Sequence, residues 1–266
     1  MSILDTIRAR RSVRTFDGID LYSGDLEKIE ECAKSADNPY GQLIEWRILS
    51  ADEGLSSPVI VGAQRFIAGK MRRAEHAEEA FGYSFEKIVL LCETLGVGTT
   101  IIAGTMDRGA FERAMELKSG EVMPCMSPLG YPAKKMSIRE GMMRAGIKAD
   151  SRLDFGEIFF DGAFDKPLSD GGAIKDALEA VRLAPSAVNK QPWRVVLDGS
   201  AAHFYRKHAR GYGAGTGWDM QKIDLGIALC HFELAMREKG FEPRFELADP
   251  GIKTPEGVDY IASFRW

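Results

Sequence analysis

The chain repeats itself, and that repetition restricts it to folds in which two similar halves recur. Phe16-Asp17-Gly18 returns as Phe160-Asp161-Gly162, 144 residues later, and each copy precedes a short polar linker and an amphipathic helix. The helices, Leu26 to Ala36 and Ile174 to Ala184, superpose at an offset of 148, with Leu26 on Ile174, Ile29 on Ala177, Ala33 on Val181 and Ala36 on Ala184. Matching strands follow 147 residues apart, Glu45-Trp46-Arg47-Ile48-Leu49 and Pro192-Trp193-Arg194-Val195-Val196. Each half then carries a long apolar helix, Phe85 to Leu95 closed by Gly96 and Met220 to Lys239 closed by Gly240. Glycine there adopts a left-handed cap without a Cβ penalty. Strand-like residues end each half, Val122 to Met126 and Val258 to Phe264, the latter alternating as a half-buried strand does. An offset that drifts only between 144 and 148 across several elements indicates internal duplication. Helix, strand, helix, strand in two copies predicts an α+β protein in which each half has a small sheet covered by helices. The first repeat is expected over 1–152 and the second over 153–266, together one pseudo-dimer.

Bulk properties narrow the partners. With 35 basic and 39 acidic side chains interspersed and a formal net charge of −4, the chain has no broad electrostatic footprint for nucleic acid or an anionic membrane. Small molecules are the expected partners. No apolar run approaches the roughly 20 residues that span a bilayer. Cys32, Cys92, Cys125 and Cys230 are scattered, with no Cys-x-x-Cys pair and no His at ligand spacing, so they read as reduced, mostly buried thiols and not as disulfides or zinc ligands. Cys230 and His231 are helix neighbours that point apart. No metal site is expected. Met1 to Phe16 is amphipathic and Arg-rich, but Asp5 and the dense Arg cluster make it the first helix of a mature domain and not a transit peptide, which leads to an expected cytoplasmic location.

Two segments concentrate polar chemistry. Leu183 to Trp193 follows an amphipathic helix and precedes an apolar strand, and within six residues Ser186, Asn189 and Gln191 offer a hydroxyl and two carboxamides. That set can read the rim of a flat heteroaromatic ring with alternating donors and acceptors; the same residues also suit a solvated turn. Upstream, Arg10-Arg11-Ser12-Val13-Arg14 offers three guanidinium forks and a hydroxyl after the first short helix. Guanidinium matches phosphate oxygens bidentately, although positive charge at a helix C-terminus is also favoured by the macrodipole.

Taken together, these segments resemble the nitroreductase family of flavin-dependent oxidoreductases. An Arg-Arg-Ser element followed by Val-Arg and an aromatic contacts flavin mononucleotide (FMN) in that family. A signature of the form Pro-Ser-x-x-Asn-x-Gln-Pro-Trp stands here as Pro185-Ser186-Ala187-Val188-Asn189-Lys190-Gln191-Pro192-Trp193. The Gly-rich segment Leu95 to Gly104 and Pro128-Leu129-Gly130-Tyr131-Pro132 match more weakly. The resemblance spans nearly the whole chain and implies a nitroreductase-like α+β fold, each repeat with a small, mainly antiparallel sheet covered by helices.

The order of the motifs departs from the family pattern. The Pro-Ser-x-x-Asn signature normally follows Arg-Arg-Ser within about thirty residues, but here that place holds Asp37-Asn38-Pro39-Tyr40-Gly41-Gln42. Where the second repeat would carry its own Arg-Arg-Ser stands Asp154-Phe155-Gly156. Each half therefore keeps what the other lacks. Family members are normally homodimers with flavin at the subunit interface, so the resemblance implies one composite FMN site per chain and loss of its pseudo-symmetric counterpart. On that basis Arg10, Arg11, Ser12 and Arg14 hold the phosphate and ring edge, while Pro185, Ser186, Ala187, Asn189 and Gln191 line the isoalloxazine. Ile102-Ala103-Gly104 corresponds to a segment near the ring, with an Ala103 or Gly104 amide facing reduced-flavin charge. Arg152 is the leading candidate for a further phosphate contact, ahead of Lys148, Lys134 and Lys135.

No side chain is expected to act as a nucleophile or general acid, because the flavin carries the redox chemistry. The implied reaction is ping-pong hydride transfer from NAD(P)H through FMN to an electron-poor acceptor such as a nitroaromatic or quinone. The alternatives are a flavin-binding or sequestering protein with little NAD(P)H turnover, and a specialised reductive or oxygen-dependent flavoenzyme. Further self-association stays open. Two segments look unlike a standard member: Ser57 to Ala80, basic through Arg65, Lys70, Arg72 and Arg73, and His203 to Gly217, with Gly211, Gly213, Gly215 and Gly217 around Tyr212. Each reads either as a lid or as a surface insertion.

Overall fold

A computed structural model of the protein describes residues 1–209 and 217–266. The chain divides into two compact units, Ala9–Ala149 and a second made of Asp150–Trp266 with Met1–Arg8. The duplication places a boundary after 152; the contact pattern places it after 149, and the start of α1 (Ile3–Ala9) groups with the second unit. There the Ile3 N–H donates to Glu238 Oε1 at 2.6 Å.

The Ala9–Ala149 unit runs α2 (Ser23–Ser35), β1 (Ile44–Ser50), β2 (Arg65–Arg72), α3 (Ala77–Thr94), α4 (Arg108–Ala114), β3 (Glu121–Val122), β4 (Met126–Leu129) and α5 (Ile138–Gly146). Its sheet is antiparallel throughout: β1 pairs β2 from Ile44 opposite Met71 to Ser50 opposite Arg65, and β3 and β4 both pair the other edge of β2. The single strand expected over Val122 to Met126 is two pieces, interrupted around Pro124, which has no N–H for the ladder. Strand β2 is buried from Phe66 to Met71 because both faces are covered. On one face Phe66 meets Phe111 of α4 edge to face, with ring centroids 5.2 Å apart. On the other, Gly69 sits opposite Trp46, whose ring packs on Phe81 and Phe85 of α3 at 4.8 and 5.1 Å. A Cβ on Gly69 would fall 2.4 Å from Trp46 Cζ3, so only glycine fits beneath the indole.

The second unit continues with α6 (Phe155–Ile158), β5 (Phe159–Asp161), α7 (Lys175–Leu183), β6 (Trp193–Asp198), β7 (Ala201–Lys207), α8 (Met220–Glu238), β8 (Arg244–Glu246) and β9 (Val258–Arg265). The strand order is β5-β6-β7-β9-β8, antiparallel except for the parallel β5–β6 pair. A two-residue loop closes β6 onto β7, and Gly199 supplies its positive φ of 57°. Phe204 packs on Phe232 of α8, while its neighbour Tyr205 points to the opposite face and meets Phe164 and Tyr260. Helices α3 and α8 occupy equivalent places in the two repeats. Both are buried over most of their circumference, as befits the central helix of a layer.

Two sequence expectations are corrected here. Ser57 to Ala80 is neither lid nor insertion, since half of it is β2, the central strand of the sheet, and the start of α3. Two of its four basic residues are accommodated by pairing, Lys70 buried between Glu45 and Glu121, both at 3.3 Å, and Arg65 in a two-pronged bond to Asp20, while Arg72 and Arg73 are exposed. Likewise His203 to Lys207 is strand β7, with His203 Nδ1 on Ser263 Oγ at 2.7 Å and Arg206 held by Asp219 and Asp259. Gly211, Tyr212, Gly213 and Gly215 lie outside the described residues. Cys92, Cys125 and Cys230 are buried and Cys32 is half-buried. Among the described residues, no helix is long and apolar enough to cross a membrane.

Candidate functional site

Arg10 to Phe16 leaves α1 as an extended segment woven into the Ala9–Ala149 unit. Ser12 bridges Thr99, the Val13 N–H donates to the Thr99 carbonyl at 2.9 Å, and Phe16 and Asp17 donate to Val61 and Tyr131. The two glycine-bearing motifs make room for it. A Cβ on Gly98 would stand 2.9 Å from Val13 Cβ, and one on Gly130 would stand 2.9 Å from Phe16 Cδ1. Gly98 and Gly130 are themselves joined by a 2.8 Å backbone bond. The glycines of these weakly matching segments therefore serve the seating of the Arg-Arg-Ser element.

That seating buries charge. Arg14 is only 8 % exposed, and its Nε and Nη1 have no hydrogen-bond partner among the described residues; Arg10 Nε is in the same condition. Burial pulls both guanidinium pKa values below the ordinary arginine value. Glu140 opposes that shift at Arg14, Glu86 and Glu93 oppose it at Arg10, and Arg144 reinforces it at both. A buried unpaired charge is expensive, so Arg10 and Arg14, with unpartnered nitrogens among the described residues and the positive charge of Arg144 beside them, are suited to an anion. Arg144, on α5, was not among the residues expected from sequence. Its Nη1 donates to the Ser12 carbonyl at 3.4 Å. The sequence signal for it is its place in the basic stretch after Gly130-Tyr131-Pro132, where the expected contacts are Arg152, Lys148, Lys134 and Lys135. Arg11 is exposed.

The Ile102–Gly104 segment is clamped from behind. Ile102 and Met126 exchange backbone bonds at 2.8 and 3.0 Å, and the Arg108 guanidinium donates to the carbonyls of Ala103, Met123 and Pro124. Gly104 is exposed with a negative φ, and a Cβ there would meet nothing within 4 Å. Neither packing nor backbone conformation of the protein explains that glycine.

In the second unit, Ser186 to Gln191 forms a tight turn between α7 and β6, with the 3₁₀ segment Ala187–Asn189 inside it. Val188, Asn189 and Gln191 have φ of 41°, 56° and 49°. For a β-branched residue such as Val188 this is an outlier, and three such residues in four positions store strain of the kind that gathers at ligand sites. The turn is over-determined by its own motif residues. Ser186 Oγ accepts the Gln191 N–H at 2.8 Å, Gln191 Oε1 accepts the Leu153 N–H at 2.9 Å, and Asn189 Nδ2 donates to the Ser151 carbonyl at 3.0 Å. Arg152 Nη2 reaches the Leu183 carbonyl at 3.2 Å and its Nη1 approaches Asn189 Oδ1 at 3.4 Å. Arg152 thus props the signature turn. From α8, the buried Asp224 accepts the Ala187 N–H at 3.1 Å, another residue the sequence did not single out.

A family model described as "Putative TM nitroreductase" matches residues 2–236. The chain belongs to this nitroreductase family. A protein of Thermotoga maritima MSB8 described as a putative nitroreductase shares the fold at a TM-score of 0.65 and 21 % identity, over 100 % of this chain and 94 % of that one. An FMN-dependent nitroreductase from Clostridium difficile R20291 aligns at TM-score 0.43 and 16 % identity, over 56 % of this chain and 97 % of its own. A putative nitroreductase in complex with FMN from Desulfovibrio desulfuricans aligns at 0.42 and 18 %, over 51 % and 88 %. No protein of curated function matches the sequence. For this nitroreductase family member, the residues of the Arg-Arg-Ser element fit an FMN phosphate: orphaned, buried guanidinium nitrogens are what a doubly charged anion would satisfy.

Proposed function

We propose that this nitroreductase family member is an FMN-dependent oxidoreductase, binding one FMN per chain and passing electrons from NAD(P)H to an electron-poor acceptor such as a nitroaromatic or quinone. The observation that carries the reading is Arg14, a guanidinium 8 % exposed with two nitrogens lacking partners among the described residues, set in the Arg-Arg-Ser element. The names of the Clostridium difficile and Desulfovibrio desulfuricans proteins support the choice of cofactor. Arg10, Arg11, Ser12 and Arg14 would hold the phosphate end. Pro185, Ser186, Ala187, Asn189 and Gln191 would hold the isoalloxazine, with Arg152 steadying Asn189. Bound FMN supplies the hydride acceptor and the electron relay. The chain's own residues bind and orient: the unfilled space at Gly104 admits close approach to the Ala103–Gly104 backbone, whose N–H groups suit developing negative charge.

The test is a visible spectrum of the purified protein followed by anaerobic addition of NADH and NADPH. A yellow protein bleached by either one is expected. A colourless protein that cannot be reconstituted with FMN would overturn the proposal. A yellow protein that neither nicotinamide bleaches would replace it with flavin binding or sequestration.

A further inference from the structure

The signature turn is anchored to α8 through a carboxyl group that no motif contains. Asp224 is fully buried; its Oδ1 accepts the Ala187 N–H at 3.1 Å, and its Oδ2, equally buried, has no hydrogen-bond partner among the described residues. The corresponding turn of the other unit is handled differently. There Asn38 Nδ2 donates to the Ser84 hydroxyl of α3 at 3.2 Å, and Ser84 Oγ donates to the Asp37 carbonyl at 3.4 Å. That turn has lost the signature, uses a neutral hydroxyl, and has positive φ only at Gly41. The repeat that keeps the signature therefore has the strained turn, and that turn is tied to the long helix by a buried acid.

We propose that Asp224 is the positioning residue that keeps Ser186 to Gln191 in the turn needed for ligand binding, with Val188, Asn189 and Gln191 left-handed, acting through the Ala187 N–H. The proposal rests on the FMN reading above for the identity of the ligand. Burial, with added like charge from Asp219, pushes the Asp224 carboxyl well above the usual carboxylate range against the opposing bond from Ala187, which favours the neutral acid. Asparagine can then replace it: its carboxamide oxygen accepts the same N–H, and its NH₂ stands in for the acid O–H. Leucine fills similar space and offers no acceptor.

The experiment compares wild type, Asp224→Asn and Asp224→Leu as full chains. Amide hydrogen exchange across 187–191 is followed without flavin, and FMN affinity is followed by fluorescence quenching. Asp224→Leu is expected to speed exchange in the turn and to weaken FMN about fivefold or more, the effect of one lost hydrogen bond, with β6 and α8 still protected. Asp224→Asn should match wild type in both readouts. Ala187→Pro supplies the same test without touching α8. Ser186 is already extended, with φ −141° and ψ 154°, as a residue before proline must be; because Ala187 also lies in the proposed flavin site, this variant is read by flavin-free exchange over 188–191 alone. Wild-type protection and FMN affinity in Asp224→Leu, or wild-type protection in Ala187→Pro, would overturn the proposal. If wild type binds no FMN, the flavin reading fails, while the exchange rates still decide whether Asp224 holds the turn.

Discussion

Glu140 accepts the main-chain N–H of Arg14 at 3.1 Å and the Thr15 hydroxyl at 2.7 Å, so this carboxylate fixes the backbone of the Arg-Arg-Ser segment while Arg14 Nε and Nη1 stay without partners. The arrangement separates holding the segment from using its charge. Arg14→Met should therefore leave the flavin-free protein as stable as wild type or more so, since an unpaired buried charge is exchanged for a hydrophobe of similar length. The same change should lower FMN affinity roughly 10- to 100-fold, the worth of a charge-assisted bond of about 1.5–3 kcal/mol. Thermal unfolding with and without FMN reads both effects. A flavin-free variant that is much less stable, or one that keeps wild-type affinity, would show that the guanidinium serves the fold and not an anion.

The two glycines near this segment should behave oppositely. Gly98→Ala places a Cβ 2.9 Å from Val13 Cβ, within a backbone bonded to Gly130, and should destabilise the fold by about 1–3 kcal/mol through overpacking. Gly104→Ala meets no protein atom within 4 Å and should leave unfolding unchanged while weakening FMN. Urea midpoints and FMN titrations of the two variants separate packing from ligand approach. Unaltered FMN binding in Gly104→Ala would remove the Ala103–Gly104 backbone from the flavin site.

What could be read from sequence follows from what was local. The pairs α2 with α7, β1 with β6 and α3 with α8 carried apolar periodicity and glycine caps within short windows, so the offsets exposed them. Strands β2 and β7 escape because Arg65, Lys70, His203 and Arg206 look like solvated residues until their partners are known. Asp20 lies 45 positions from Arg65, Ser263 lies 60 from His203 and Asp259 lies 53 from Arg206, separations no local pattern reveals. The motif residues at Arg10 to Arg14 and Pro185 to Gln191 were legible by type. Their supports, Glu140, Arg144 and Asp224, were not, because each reaches the motif from a distant helix.

Lys70 tests whether the basic residues between 57 and 80 are structural. Its ammonium is 3 % exposed and lies 3.3 Å from both Glu45 and Glu121 and 3.2 Å from the Glu116 carbonyl. Lys70→Ala should lower stability by about 1.5–3 kcal/mol, the range for bonds to a charged group, and leave the relative rates with different acceptors unchanged. Denaturant unfolding and a small acceptor panel measure the two. A shift in acceptor preference at wild-type stability would restore the idea of a lid.

Asp224 makes stability depend on pH in a defined sense. Its folded pKa is raised above the ordinary 3.8, so between that value and the raised one the folded protein holds a proton that the unfolded chain releases. The contribution is fully present below the ordinary pKa and is lost as pH rises towards the folded pKa, at up to about 1.4 kcal/mol per pH unit. Asp224→Asn carries no such proton. Its stability relative to wild type should therefore climb from about pH 4 upwards, and should level off where Asp224 ionises in the folded state. Urea unfolding of both proteins from pH 4 to about pH 8 draws the two curves, and parallel curves across that range would show that Asp224 is not held as the neutral acid.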